Sequence, residues 1–433
     1  MNGAFGWVGI VRLGLVQASI GAIVMLSTSL LNRVMVVELG LAAAIPAGLV
    51  AWHYAVQLSR PVWGHGSDRG RRRTPWIVGG MALLALGALL AVDAASLVAA
   101  SPVLGHLLAF VAYTMIGAGV GAAGTSLLAL LASMVAPERR AAAAATTWIM
   151  MVAGIAISAG IAGSLLEPFS MERLGLVSGG IALFALLLTM AAVAGVETRP
   201  LPAPVAQSSA QPSFAEAMRE MRADPQAAQF TLFVFVSMLS YSMQDLILEP
   251  FGGLIFALSP GQTTSLAGVQ HGGVLAGMLL AGFGGSAFAA HRTHTLRPWI
   301  VGGCLASGLA LIGLVFGAAA GPGWPLTLNV VLLGFANGVF AVAAIGAMMG
   351  LAGAGGGAHS GMRMGVWGAA QAIAFGLGGL LGAGTVDLAR ALTGSASFAF
   401  QIAFAGQALL FLLAARLAQG VARPAPVPAA LAV

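Results

Sequence analysis

The stretch Pro75-Trp76-Ile77-Val78-Gly79-Gly80 occurs a second time as Pro298-Trp299-Ile300-Val301-Gly302-Gly303. Each copy follows an arginine-bearing segment and opens a long apolar run. Six identical residues in equivalent surroundings are hard to attribute to chance, and they predict a chain built from two related halves. Working outward from the two copies, apolar runs fall at 12–34, 44–59, 75–93, 103–133, 143–165 and 175–195, then at 228–250, 263–289, 298–319, 326–350, 363–386 and 398–417. Each hexapeptide opens the third run of its set. The predicted organisation is a first half over 1–195, a linker over 196–227, a second half over 228–418 and a disordered tail over 419–433.

Apolar residues make up 59% of the chain and charged residues 7%, against roughly a quarter charged in a soluble domain. A surface so poor in charge requires lipid around it. The runs are continuous and about 20 residues long, the length of a bilayer-crossing helix rather than of a ~10-residue barrel strand. The class is therefore all-α integral membrane. The run from Leu13 to Leu31 exceeds a signal-peptide core and is read as the first span. Cys304, the one cysteine, lies inside a run and excludes a disulfide framework.

A net charge of +6 would suggest nucleic acid in a soluble protein, yet all 19 basic residues are arginine and most lie between the runs. With both termini cytoplasmic, 16 arginines fall on that side and only Arg33, Arg173 and Arg390 on the other. That is the positive-inside bias, and no nucleic-acid partner is expected. Within the linker, Ser213 and Glu216 have capping-box spacing, and Phe214, Met218 and Met221 recur at helical spacing. A short amphipathic helix on the cytoplasmic membrane surface is predicted there.

Two parallel repeats of six helices around a long cytoplasmic loop describe the major facilitator fold of twelve transmembrane helices. Between the second and third runs, Gly64-His65-Gly66-Ser67-Asp68-Arg69-Gly70-Arg71-Arg72-Arg73 resembles the loop signature of that superfamily, with one residue fewer between Arg69 and Gly70. A glycine permits close helix approach, and Asp68 can accept hydrogen bonds at a helix N-terminus or from a guanidinium. Arg69, Arg71 and Arg72 can anchor the loop to anionic headgroups, so membrane lipid is a predicted partner. The plainer reading is that the cluster only sets topology.

Ionisable residues inside spans are costly and default to functional candidates. Arg33 and Glu38 fall at the outer end of the first helix, Asp245 and Glu249 at the outer end of the seventh. Those helices flank the central cavity of a major facilitator. An outer gate in which Arg33 pairs with Asp245 or Glu249 is the expectation, with local capping at the interface as the alternative. Helices 4, 5, 8 and 10 carry no Asp, Glu or Arg between their ends, while helices 4 and 11 carry glycine runs at 117–124 and 376–382. Small residues allow close packing and also suit a flat apolar ligand. His53 and His271 inside spans, and His106 at the start of the fourth, can offer an imidazole to a metal such as the magnesium of a chlorophyll. Hydrogen-bonded packing is the commoner role of a membrane histidine. No HExxH, GxSxG, Walker loop or paired Cys/His cluster occurs, so no catalytic residue and no metal site is predicted.

Four stretches resemble one family: Leu31-Asn32-Arg33-Val34-Met35-Val36-Val37-Glu38-Leu39-Gly40, Arg60-Pro61-Val62-Trp63-Gly64-His65-Gly66-Ser67-Asp68, Gln244-Asp245-Leu246-Ile247-Leu248-Glu249-Pro250-Phe251-Gly252-Gly253 and Gly365-Val366-Trp367-Gly368-Ala369-Ala370-Gln371-Ala372. They are similar to the bacteriochlorophyll delivery family of the major facilitator superfamily, the PucC and LhaA group of phototrophic bacteria. The resemblance runs from helix 1 to helix 11 and extends to the branch that carries the name of a bacteriochlorophyll synthase chain. It implies a bacterial inner (intracytoplasmic) membrane and a role in assembling light-harvesting complexes or supplying them with pigment. The motifs do not establish which residues touch pigment; Trp367 and Gln371, in the last of these stretches, stand as pigment-binding candidates beside His53 and His271. The implied partners are bacteriochlorophyll or a precursor, and light-harvesting polypeptides or the bacteriochlorophyll synthase.

A prenyl-transferring synthase holds magnesium and diphosphate with paired Asp-rich motifs. Here Asp68, Asp93, Asp224, Asp245 and Asp387 are scattered singly, so an enzyme is not expected, and bacteriochlorophyll is expected as bound cargo rather than as a catalytic cofactor. The alternative reading is a proton-coupled secondary transporter of an apolar or amphiphilic small molecule, with Asp245 or Glu249 carrying the proton.

Overall fold

A computed structural model describes residues 6–60, 62–63, 67, 72–135, 139–197, 225–288, 296–354 and 360–421. Among them are twelve principal helices and no strand. The first six are α1 (Trp7–Glu38), α2 (Ala44–Val56), α3 (Thr74–Val98), α4 (Pro102–Met134), α5 (Arg140–Leu165) and α6 (Met171–Val193). The last six are α7 (Pro225–Phe256), α8 (Pro260–Phe288), α9 (Arg297–Ala320), α10 (Leu326–Ala354), α11 (Ser360–Thr393) and α12 (Ala396–Val421). Ten are long and apolar enough to cross a membrane, and the chain is a multi-pass membrane protein. The other two are short α2 and α8, whose first half carries Gln262, Thr263, Thr264, Gln270 and His271. Outward faces such as those of Leu176, 70% exposed, and Phe184, 67% exposed, are stable only in lipid.

Packing repeats with a shift of six helices. In the first set α1 lies on α5 and α6, α3 on α4 and α6, and α2 on α4. In the second, α7 lies on α11 and α12, α9 on α10 and α12, and α8 on α10. The seams between the sets repeat as well: α2 packs on α11, and α8 on α5. One core gathers around Leu13, Leu30, Met81 and Tyr113, and a second around Phe230, Phe251, Phe340 and Phe404. Leu246 of α7 and Ala383 of α11 belong to the first core, so the second set reaches into it.

Helices α1 and α7 outrun their expected bounds on the face opposite the termini, here the far face. Helix α1 continues to Glu38 by widening into π-helical turns at Leu26–Leu30 and Val34–Glu38. Helix α7 continues through Pro250 to Phe256. Proline removes an N–H and so frees the carbonyl four residues before it, here that of Leu246. In lipid a freed carbonyl needs another donor, and Asn32 Nδ2 of α1 supplies it at 2.7 Å.

Several sequence expectations lie outside the described residues. They are Gly64, Asp68, Arg69, Gly70 and Arg71 of the loop motif, the amphipathic stretch 213–221 and the tail after 421. Arg72 is exposed just before α3. Its neighbour Arg73 donates to Ala129 O and to Ser133 Oγ on α4.

Candidate functional site between the two helix sets

The stretches 31–40 and 244–253 meet across the far face, in a different arrangement from the expected gate. Arg33 is 2% exposed and pairs with Glu38 at 2.5 Å, while its second terminal nitrogen donates to Leu258 O at 2.7 Å. It forms no ion pair with Asp245 or Glu249. The cause is local: in π-helical turns the residue five positions on returns above the first, which brings Glu38 over Arg33. Leu258 is aimed at Arg33 by a turn in which Ala257 adopts a φ of 54°, a left-handed conformation unusual for alanine. The buried Glu249 accepts from Ser29 Oγ of α1, and from Thr264 Oγ1 at 3.3 Å.

Both seams close at the same end. Asp387 of α11 accepts from the backbone N–H groups of Ala43 at 3.0 Å and Ala44 at 2.7 Å, capping the first turn of α2 from the other helix set. Ser259 Oγ donates to Glu167 across the α5–α8 seam. Every hydrogen bond found between the two sets among the described residues lies towards the far face.

Asp245 belongs elsewhere. It stands eleven residues before the end of α7, about 16 Å below the far face at 1.5 Å per residue. The outer position expected for it followed from ending α7 at Pro250. Around it α2, α7 and α11 contribute an aromatic group. Phe375 lies 5.9 Å from Tyr54 and 5.8 Å from Tyr241, ring to ring. The carboxyl is within electrostatic range of both phenols and has no hydrogen-bond partner among the described residues.

The four pigment-binding candidates divide. His271 starts the twelfth position of α8, at the same depth as Asp245, and is half-buried. Leu280, nine residues on and half a turn round the helix, is exposed to lipid, so His271 faces the centre. Its Nδ1 lies 2.9 Å from the carbonyl of Ala267. Donation there leaves Nε2 as a free lone pair, the arrangement by which a backbone carbonyl orients a ligating imidazole. Gln371 is half-buried one turn from Phe375 and has no hydrogen-bond partner among the described residues. His53 is instead enclosed, 1% exposed, with Nε2 2.9 Å from Gln57 Nε2. Trp367 is equally enclosed; it donates to Thr231 Oγ1 at 3.0 Å and meets Phe230 edge-on at 4.9 Å.

The glycine runs serve packing at several points. A Cβ on Gly117 would stand 2.6 Å from His53 O, one on Gly119 2.6 Å from Leu84 N, and one on Gly382 2.7 Å from Met243 O. Glu197 was expected in the linker. It holds the first turn of α3, accepting from Thr74 N at 2.7 Å and from Thr74 Oγ1 at 2.7 Å. Pro75 marks the helix start in the sequence, but nothing local points to Glu197 as its cap.

The repeated packing and paired seams define a class, the major facilitator fold. A solved bacterial homolog to the human lysosomal transporter Spinster, in an inward-facing and occupied conformation, aligns with 96% of this chain and 98% of its own. The TM-score is 0.69 at 14% identity. Within that class the chain belongs to the PUCC protein family, which it matches over residues 30–425. It is similar to the bacteriochlorophyll synthase 44.5 kDa chain of Rhodobacter capsulatus, 52% identical over 418 residues, 96% of each chain. Protein PucC of the same organism is 28% identical over 424 residues, covering 94% of this chain and 90% of that one.

Proposed function

We propose that this chain is a non-enzymatic membrane factor of photosynthetic complex assembly that binds bacteriochlorophyll or a precursor and hands it over. The recipients are light-harvesting polypeptides or the bacteriochlorophyll synthase. The observation that carries the reading is the full-length likeness to a relative named for bacteriochlorophyll synthesis, on a fold shared with transporters. An inward-facing imidazole with a free nitrogen suits the central magnesium of such a pigment, and the aromatic group of Tyr54, Tyr241 and Phe375 suits the face of a macrocycle. The membrane is read as the bacterial inner (intracytoplasmic) one, with both termini cytoplasmic.

The test is the absorption spectrum and pigment extract of protein purified in mild detergent from a bacteriochlorophyll-producing host. Near-stoichiometric pigment is expected in the wild type. His271→Ala should lose most of it and His53→Ala should not, because His53 is enclosed between α2 and α4. A colourless wild type would overturn the proposal.

One observation favours the second reading, proton-coupled transport of an apolar or amphiphilic solute. Asp245 is an unpartnered carboxyl at mid-depth, where a coupling proton would be carried.

A further inference from the structure

A cavity of about 250 Å³ opens on the far face where the α1–α2 connection meets α7, α11 and α12. Val36, Leu246, Leu254 and Phe400 make its apolar walls, and Asp387 and Arg390 are the charged residues that line it. Asp387 is already committed, one oxygen to Ala43 N and the other to Ala44 N. Arg390 is exposed, and its guanidinium has no hydrogen-bond or ion-pair partner among the described residues. A cation of five donors beside an apolar hollow, with the neighbouring carboxylate spoken for, lacks an anion. The hollow is smaller than the ~300–1,000 Å³ of a typical small-molecule pocket, so it admits one chain segment and not a macrocycle.

We propose that this cavity binds an anionic amphiphile, its phosphate or carboxylate on Arg390 and one apolar chain between α7 and α12. Because the walls come from both helix sets, the ligand bridges the closed far face and holds Asp387 against α2. The site is separate from the central group and does not depend on the pigment reading.

The full-length protein in a neutral detergent tests it through the thermal unfolding midpoint on titration with lipid. Phosphatidylglycerol should raise the midpoint by several degrees, and phosphatidylcholine should raise it little. Arg390→Gln, at an exposed position that folding does not need, should weaken the phosphatidylglycerol effect about tenfold in concentration, the weight of one charge-assisted hydrogen bond. Leu254→Trp, which fills the hollow and keeps the arginine, should weaken it as well. Dodecyl phosphate separates the sources: a response equal to that of phosphatidylglycerol means the site reads any anion-headed chain, and a response to the lipid alone means it reads the headgroup. Equal shifts for wild type and Arg390→Gln would overturn the proposal. So would loss in Arg390→Gln with full retention in Leu254→Trp, which would leave a surface anion and no inserted chain.

Discussion

The two seams between the helix sets are images of each other in the repeat, yet they are built from different materials. At α5–α8 the backbones touch: a Cβ on Gly261 would stand 2.6 Å from Gly163 O, and one on Gly268 2.9 Å from Gly160 N. At α2–α11 side chains hold the helices apart. Gly376 has only Tyr54 Cβ nearby, at 3.6 Å, and the fastening is the Asp387 carboxylate on the α2 N-terminus. A glycine contact is a packing surface with one good distance. A carboxylate cap on two amides is a fastening that can be undone and remade. The duplicated scaffold thus carries one seam suited to act as a pivot and another suited to release.

The largest effect should come from spoiling the pivot. Gly261→Val drives a branched side chain into the backbone of Gly163 and the side chain of Glu167. Overpacking of this kind costs about 3 kcal/mol or more when no flexible neighbour can yield. The expected result is loss of the monodisperse peak in size-exclusion chromatography. Gly376→Ala at the matching seam should run as wild type, since its new Cβ makes only an ordinary contact. If both variants behave alike, the contrast between the seams is wrong.

Undoing the fastening should cost less. Asp387→Ala strips the acceptor from two amides at a helix start, worth about 1–2 kcal/mol for a cap of this kind. Amide hydrogen exchange at Ala43 and Ala44 should quicken about tenfold, with exchange along α5 and α8 unchanged. Uniform quickening across both seams would mean that the two do not move independently.

How much of this was legible in the sequence follows from what each feature depends on. Ten of the twelve helices could be read because in lipid a span is set by length and composition, and the hexapeptide set the register of the copies, which placed α2 and α8 as well. That stretches 31–40 and 244–253 come together was legible too, but their pairing was misassigned. Charge complementarity suggested Arg33 with Asp245 or Glu249. The contacts found are Asn32 with the carbonyl freed by Pro250, and Arg33 with Glu38 through π-helical turns that a 3.6-residue period does not reveal. The proline was the readable clue: a proline inside an apolar span leaves a carbonyl that some neighbour must satisfy. Asp387 and Glu197 were not identifiable as caps, because the amides they hold lie 343 and 123 residues away. The split of His271 from His53 was equally hidden, since it turns on which helix face meets lipid.

The smallest effect on stability, and the most telling on function, belongs to Asp245. Its carboxyl accepts no hydrogen bond among the described residues, so Asp245→Asn removes no fastening, and the stability of the protein should change by no more than about 1 kcal/mol, the centre of the range for single substitutions. Its neighbours are Tyr54 from the first helix set and Tyr241 from the second, so it sits where the releasing seam meets the centre. A carrier that exchanges a proton at this point loses gradient-driven uptake in the asparagine variant while still binding its solute. A pigment factor that uses His271 as the ligand keeps its bound pigment, because asparagine preserves the shape of the wall. Pigment content and gradient-driven uptake measured on the same variant therefore separate the two readings. Loss of pigment with an unchanged midpoint would make Asp245 part of the pigment site and shift the central contacts from α8 to α7.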